Sequence, residues 1–142
     1  MKKTKKDKYD KEKSKELLKQ RKDVRCSCKA KMPDKDRAKF GTCSCDGFSF
    51  CSTVGNVLAN ALFQYIADAS QRIVRPDLDW ETMERHANAI RAYSEADVWD
   101  KMTTIDFDGE DAIDRMINYD KKERAWREAM FWLTENWQSL WW

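Results

Sequence analysis

Apolar positions recur with helical spacing along most of the chain beyond residue 52. Val54, Val57, Leu58, Ala61, Leu62, Tyr65, Ala69 and Ile73 follow the i, i+3, i+4 rhythm of one helix face. The pattern predicts a helix that Ser52 or Thr53 caps and that Pro76 closes, with Arg75 pushed out of helical geometry. Asp79 then caps a second helix whose stripe is Trp80, Met83, Ala87 and Ile90. Ser94-Glu95-Ala96-Asp97 reads as a further N-terminal cap, so a break near Ser94 is expected. A short helix with Val98, Trp99 and Met102 follows it. After a connector at 103–108, Asp108 caps a short helix with Ala112, Ile113, Met116 and Ile117. Asp120-Lys121-Lys122-Glu123 caps a last helix that runs toward Trp142. Few segments alternate as strands do. The expected fold class is all-α: a small helical domain of about four helices, with a Cys-rich irregular insert and a basic N-terminal helical arm.

The front of the chain lacks this periodicity. Residues 1–25 are lysine-rich, with only Tyr9, Leu17, Leu18 and Val24 as sizeable apolar groups. Asp7 with Lys11, Glu12 with Lys15, and Glu16 with Lys19 give weak helical support, about 0.2–0.5 kcal/mol each. This reads as an arm that buries little. In residues 26–51, Pro33, Gly41 and Gly47 break any period, and short strands fit around Phe48 and Phe50. The expected organisation is a basic arm at 1–25, a Cys-rich segment at 26–51 and a helical domain at 52–142.

Charge sharpens that division. The 142 residues carry a net charge of +2. Residues 1–51 carry +9 and residues 52–142 carry −7. All five Cys lie in the first part and all seven Trp in the second. Such polarity reports on partners. The lysines after Met1 lead into no apolar stretch, and the longest uncharged segment, 47–67, is too polar for a membrane span. The sequence therefore predicts a cytoplasmic protein with reduced thiols and no membrane association.

Cys26-x-Cys28 and Cys43-x-Cys45, with Cys51 beyond, follow the logic of a structural zinc site: close thiolate pairs that pin a loop with no core of its own. The one-residue gap within each pair is tighter than in common zinc modules, and Cys51 is a replacement ligand. Free structural thiols are the plainer alternative. Cys51 also precedes a helix start, where a thiol pKa falls. With His86, the sole histidine, it forms the minimal skeleton of a thiol enzyme. No orienting group or oxyanion site accompanies that pair, and no phosphate loop or metalloprotease motif is present, so the reading is non-enzymatic.

Between the Cys pairs, Lys29, Lys31, Lys35, Arg37 and Lys39 form a cationic loop in front of an arm with twelve Lys and Arg. Together they make a phosphate-binding footprint, salt-dependent and poor in sequence specificity. A solvated charged tail is the bland counterpart. Eight acidic residues lie between Glu95 and Asp114. They do not fit a calcium loop, since Thr104 and Arg115 fall where carboxylates are needed. They form an anionic patch suited to a basic surface, the arm of the same chain or of a second copy included.

On the last helix, Trp126, Ala129, Met130, Leu133, Trp137, Leu140 and Trp141 share a core stripe, while Phe131, Trp132 and Trp142 fall off it. Large aromatics outside a stripe mark a partner interface or self-association. Two functions follow. The first is a zinc-stabilised accessory protein that binds nucleic acid through its front. The second is an assembly or adaptor protein that binds a protein partner, or forms a homo-oligomer, through the arm, the acidic patch and the Trp-rich helix. An inhibitor that presents its carboxylates in place of a nucleic acid is a variant of the second.

Overall fold

The computed structural model describes residues 11–24, 39–40, 50–72, 78–96 and 110–140. Four α-helices order them: α1 (Lys11–Lys19), α2 (Phe50–Arg72), α3 (Trp80–Ser94) and α4 (Glu110–Asn136). A single 3-10 turn, Trp137–Ser139, ends the described chain. The all-helical class is as the sequence predicts. No sheet occurs among the described residues. No helix among them is long and apolar enough to cross a membrane.

α3 is the central helix, and cross-contacts fix the directions of the others. Tyr65 meets Trp80 with ring centroids 6.4 Å apart, and Asn56 accepts a hydrogen bond from Arg91 Nε at 3.3 Å, so α2 and α3 run antiparallel. They approach closely where Gly55 faces the C-terminal turn of α3. A Cβ on Gly55 would collide with the Ser94 side chain. On the other flank, Tyr93 meets Tyr119 and Trp126 of α4, and His86 meets Trp132, which makes α3 and α4 antiparallel as well. Phe63, Ile66, Met83, Ile90 and Leu17 are the largest fully buried side chains.

α1 is too short to persist alone in water. It is held by packing. Leu17 is fully buried in the core, and Ser14 Oγ donates to the Ala67 carbonyl at 3.1 Å. The expectation that the N-terminal segment buries little is therefore wrong for residues 11–24. Its cause is visible in the pattern: Ser14, Leu17 and Leu18 form a narrow stripe that α2 accepts. Full burial of a leucine stabilises by about 1.5–3 kcal/mol.

Three further expectations are corrected. Helix α2 begins at Phe50, so Ser52 and Thr53 lie inside its first turn and do not cap it. Its core face matches the spacing only in part: Leu62 and Ala69 are buried as predicted, and Leu58 and Tyr65 pack against the core. Ala59, Leu62, Phe63, Ile66, Ala67 and Ala69 are buried, while Val57 and Ala61 are exposed. The helix is apolar on two sides, and periodicity alone cannot choose between them. Asp120-Lys121-Lys122-Glu123 caps nothing: α4 passes through it without a break. Lys, Glu, Arg and Ala are good helix formers, and no Gly or Pro interrupts residues 110–136. The last helix runs toward the C-terminal end as expected and passes into the 3-10 turn at Trp137. The break after Ser94 is as expected, with Glu95 N–H closing onto the Arg91 carbonyl at 3.0 Å. Asp79 does stand at the N-cap of α3. It accepts from Thr82 Oγ1 at 2.6 Å rather than from a backbone N–H.

Candidate interaction surface on the C-terminal helix

α4 has 27 residues and α3 has 15, which at 1.5 Å per residue is about 40 Å against about 22 Å. α4 therefore overhangs its neighbour. Tyr119 is buried against Tyr93, with the hydroxyls 3.2 Å apart, but residues 113–118 before it are all exposed. Ile113 is 58% exposed, and Met116 and Ile117 are exposed beside it. Their spacing places them on one stripe. Phe131, 67% exposed, lies eighteen residues after Ile113, five whole turns at 3.6 residues each, and so on the same face. The opposite face carries Tyr119, Trp126, Ala129 and Leu133 into the core. The outer face of α4 thus has an apolar patch at each end and a charged middle, Asp120, Arg124 and Arg127.

A second apolar feature lies at the C-terminal end. Leu58, Ala61, Leu62 and Tyr65 of α2 form a groove with Leu133, Trp137 and Leu140, about 340 Å³ in volume. This is the second face of α2, the one the spacing assigned to the core. Trp137, expected in the core stripe, stands at the groove with 61% of its surface exposed. It is the first residue of the 3-10 turn, where the α-helix has ended.

The basic and acidic ends meet within one chain. Lys13 Nζ donates to Glu84 Oε1 at 3.0 Å, and Lys22 pairs with Glu95, the first of the acidic residues beyond α3. Burial lowers the Lys13 pKa, but the hydrogen bond and charge of Glu84, helped by Glu16, leave it raised overall. Between these pairs sits Arg91, buried at the junction of α1, α2 and α3. Its guanidinium donates to Asn56 Oδ1, to Asn60 Oδ1 at 2.6 Å and to the Gln20 carbonyl, and lies 5.2 Å from the Phe63 ring centroid. Asn60 in turn accepts from Lys22 N and donates to Lys22 O, both at 2.8 Å. Burial pulls the Arg91 pKa down, and Glu95 partly offsets it. These groups tie the segment after α1 to the bundle. Nothing in this arrangement points to a reacting group.

The residues singled out from sequence are placed unevenly. Cys26, Cys28, Cys43, Cys45, Lys29, Lys31, Lys35, Arg37 and Trp142 lie outside the described residues, as do Val98, Trp99 and Met102. Lys39 is exposed, with Nζ 5.1 Å from the Phe40 ring centroid. Cys51 is an exposed free thiol in the first turn of α2. Among the described residues, no three His, Cys, Asp or Glu side chains gather as metal ligands would. His86 is buried against Trp132, ring centroids 5.1 Å apart. Gly55 is level with Ser94, which puts Cys51 and His86 about 18 Å apart along the bundle axis at 1.5 Å per residue. They do not form a nucleophile–base pair. Of the aromatics placed outside the stripe, Phe131 is exposed, whereas Trp132 is half-buried and turned toward α3. Trp132 packs inward because His86 offers it a flat apolar-edged partner that spacing does not reveal.

Sequence reasoning missed the exposure of Ile113, Met116 and Ile117. The signal was the absence of a helix breaker between residues 110 and 136, which makes one long helix that outreaches its neighbour. The chain matches no family model, and no curated protein or solved structure is similar to it.

Proposed function

We propose that the protein is a non-catalytic assembly or adaptor protein whose C-terminal helix presents its outer face to a helix of another protein chain. The observation that carries this reading is the one-sided exposure of Ile113, Met116, Ile117 and Phe131 along α4. Scattered apolar residues on a surface are ordinary. Four on one stripe, flanking a charged centre, fit the way one helix recognises another: apolar anchors for affinity and charges for register. The partner the face suits is a helix with apolar ends and a mixed-charge middle. The basic front supports the assembly reading over a phosphate-binding one, since Lys13 and Lys22 are engaged with Glu84 and Glu95 inside the chain.

The test is a photo-cross-linking side chain at position 131, or separately at 117, in the full-length protein in its native cell. The reading expects a discrete protein adduct identified by mass. The purified adduct partner should bind the wild-type chain and lose that binding with Phe131→Arg. No adduct from either position refutes the reading.

A further inference from the structure

The outer face of α4 has a regular order. Ile113, Ile117, Asp120, Arg124, Arg127 and Phe131 are separated by four, three, four, three and four residues, the seam spacing of a two-stranded coiled coil. Laid antiparallel on itself about a two-fold axis at position 122, this seam is self-complementary. We propose that the protein forms an antiparallel dimer with a second copy of itself through this face, Ile113 packing on Phe131 of the partner subunit and Asp120 pairing with Arg124 of the partner subunit. The inference rests on the assembly reading and names its partner.

Charge complementarity carries the choice of occupant. A two-fold axis makes every contact occur twice. The central layers then hold two Asp120–Arg124 pairs, so no charge in them faces its like. Displacing the register by one turn sets Asp120 against Asp120 in one direction and Arg124 against Arg124 in the other. The next layers outward bring Ile117 against the stem of Arg127. That stem is free to lie on an apolar surface because its guanidinium is already held by Glu123 at 2.8 Å, and arginine covers apolar groups in this way. The outermost layers bring isoleucine onto phenylalanine. A parallel pair would instead set Asp120 against Asp120 and Arg124 against Arg124. The overhang of α4 leaves the Ile113 end accessible to the second copy.

The apolar area is modest and the centre is polar, so the dimer is specific rather than tight, with Kd on the order of micromolar. Sedimentation equilibrium of the full-length chain across that range tests it. Asp120→Arg alone and Arg124→Asp alone each place like charges together twice and should weaken the dimer at least about tenfold. The double variant Asp120→Arg/Arg124→Asp restores the pairs and should recover wild-type affinity to within about threefold. Arg124 is exposed and Asp120 half-buried, and circular dichroism checks that helicity is unchanged. Ile113→Glu combined with Phe131→Arg is a second rescue, at the ends of the same seam. A monomer at every concentration overturns the inference, and so does a dimer indifferent to the charge reversals. If that monomer still cross-links another protein through position 131, the self-pairing falls while the assembly reading stands. If it cross-links nothing, both fall.

Discussion

Arg91 shows how much one side chain holds in this molecule. A guanidinium buried beside Phe63, with three acceptors from two different segments, stabilises the docking of residues 20–22 only while all its donors are matched. Arg91→Ala leaves the Gln20 carbonyl and the Asn56 amide oxygen without their guanidinium donor and should cost about 2–4 kcal/mol in urea unfolding. It should also raise the hydrogen-exchange rate of residues 11–24 more than that of α4. Arg91→Lys should recover little, because one ammonium cannot span the same fork. Gly55 sets the other local limit. Gly55→Ala gains helix propensity yet pushes a Cβ into Ser94, and should destabilise by about 1–3 kcal/mol, with partial recovery in the Gly55→Ala/Ser94→Gly double variant. The inward stripe of α3 was legible residue by residue, since Trp80, Met83, Ala87 and Ile90 are all buried. The burial of Arg91 was not. A charged residue on a helix reads as surface until the acceptors that surround it, distant in sequence, are known.

At the scale of elements, the contact between α3 and α4 depends on a neutral histidine. Burial lowers the His86 pKa below its usual 6.5, Arg85 adds to this, and Glu128 opposes it. The unfolded chain therefore takes up a proton at higher pH than the native one. Stability is full above about pH 7 and declines as pH falls through the unfolded value toward the lower native one. Thermal melts between pH 7.5 and 5 should show Tm falling with acid, and His86→Gln should flatten that fall. An unchanged slope in the variant refutes the assignment. Element boundaries were legible where chemistry enforces them, at Asp79 before α3 and at Ser94 after it. They were not legible within α4, where Asp120 resembles a cap. A cap motif followed by Lys, Lys, Glu, Arg and Ala is equally a good helix interior, and only the packing of Tyr119 and Trp126 on Tyr93 decides between them. The two apolar faces of α2 are a similar case: the stripe selected by spacing is shared between the core, at Leu62 and Ala69, and the outer groove, at Leu58 and Ala61, while the adjoining face with Phe63 and Ile66 is wholly buried.

For the whole molecule, the polarity of the sequence, basic in front and acidic behind, is partly resolved inside the fold by the pairs Lys13–Glu84 and Lys22–Glu95. Both are partly exposed, so salt should weaken them and each contributes at most about 1 kcal/mol. The aromatic excess of the back half is divided. Trp80 and Trp126 serve the core, Trp132 joins α4 to α3, and Phe131 and Trp137 remain outside. An interaction surface on the last helix was thus legible from its aromatics, but its main line was not, because Ile113 and Ile117 acquire a common face with Phe131 only when the helix is continuous. The proposed pairing depends on that face being covered by a second copy of the chain. Hydroxyl-radical footprinting of the full-length protein, dilute and then concentrated, reads this directly at Met116 and Phe131. The account predicts that both side chains become protected together as concentration rises, while exposed Trp137 on another face keeps its reactivity. Equal labelling of Met116 and Phe131 at every concentration would contradict it.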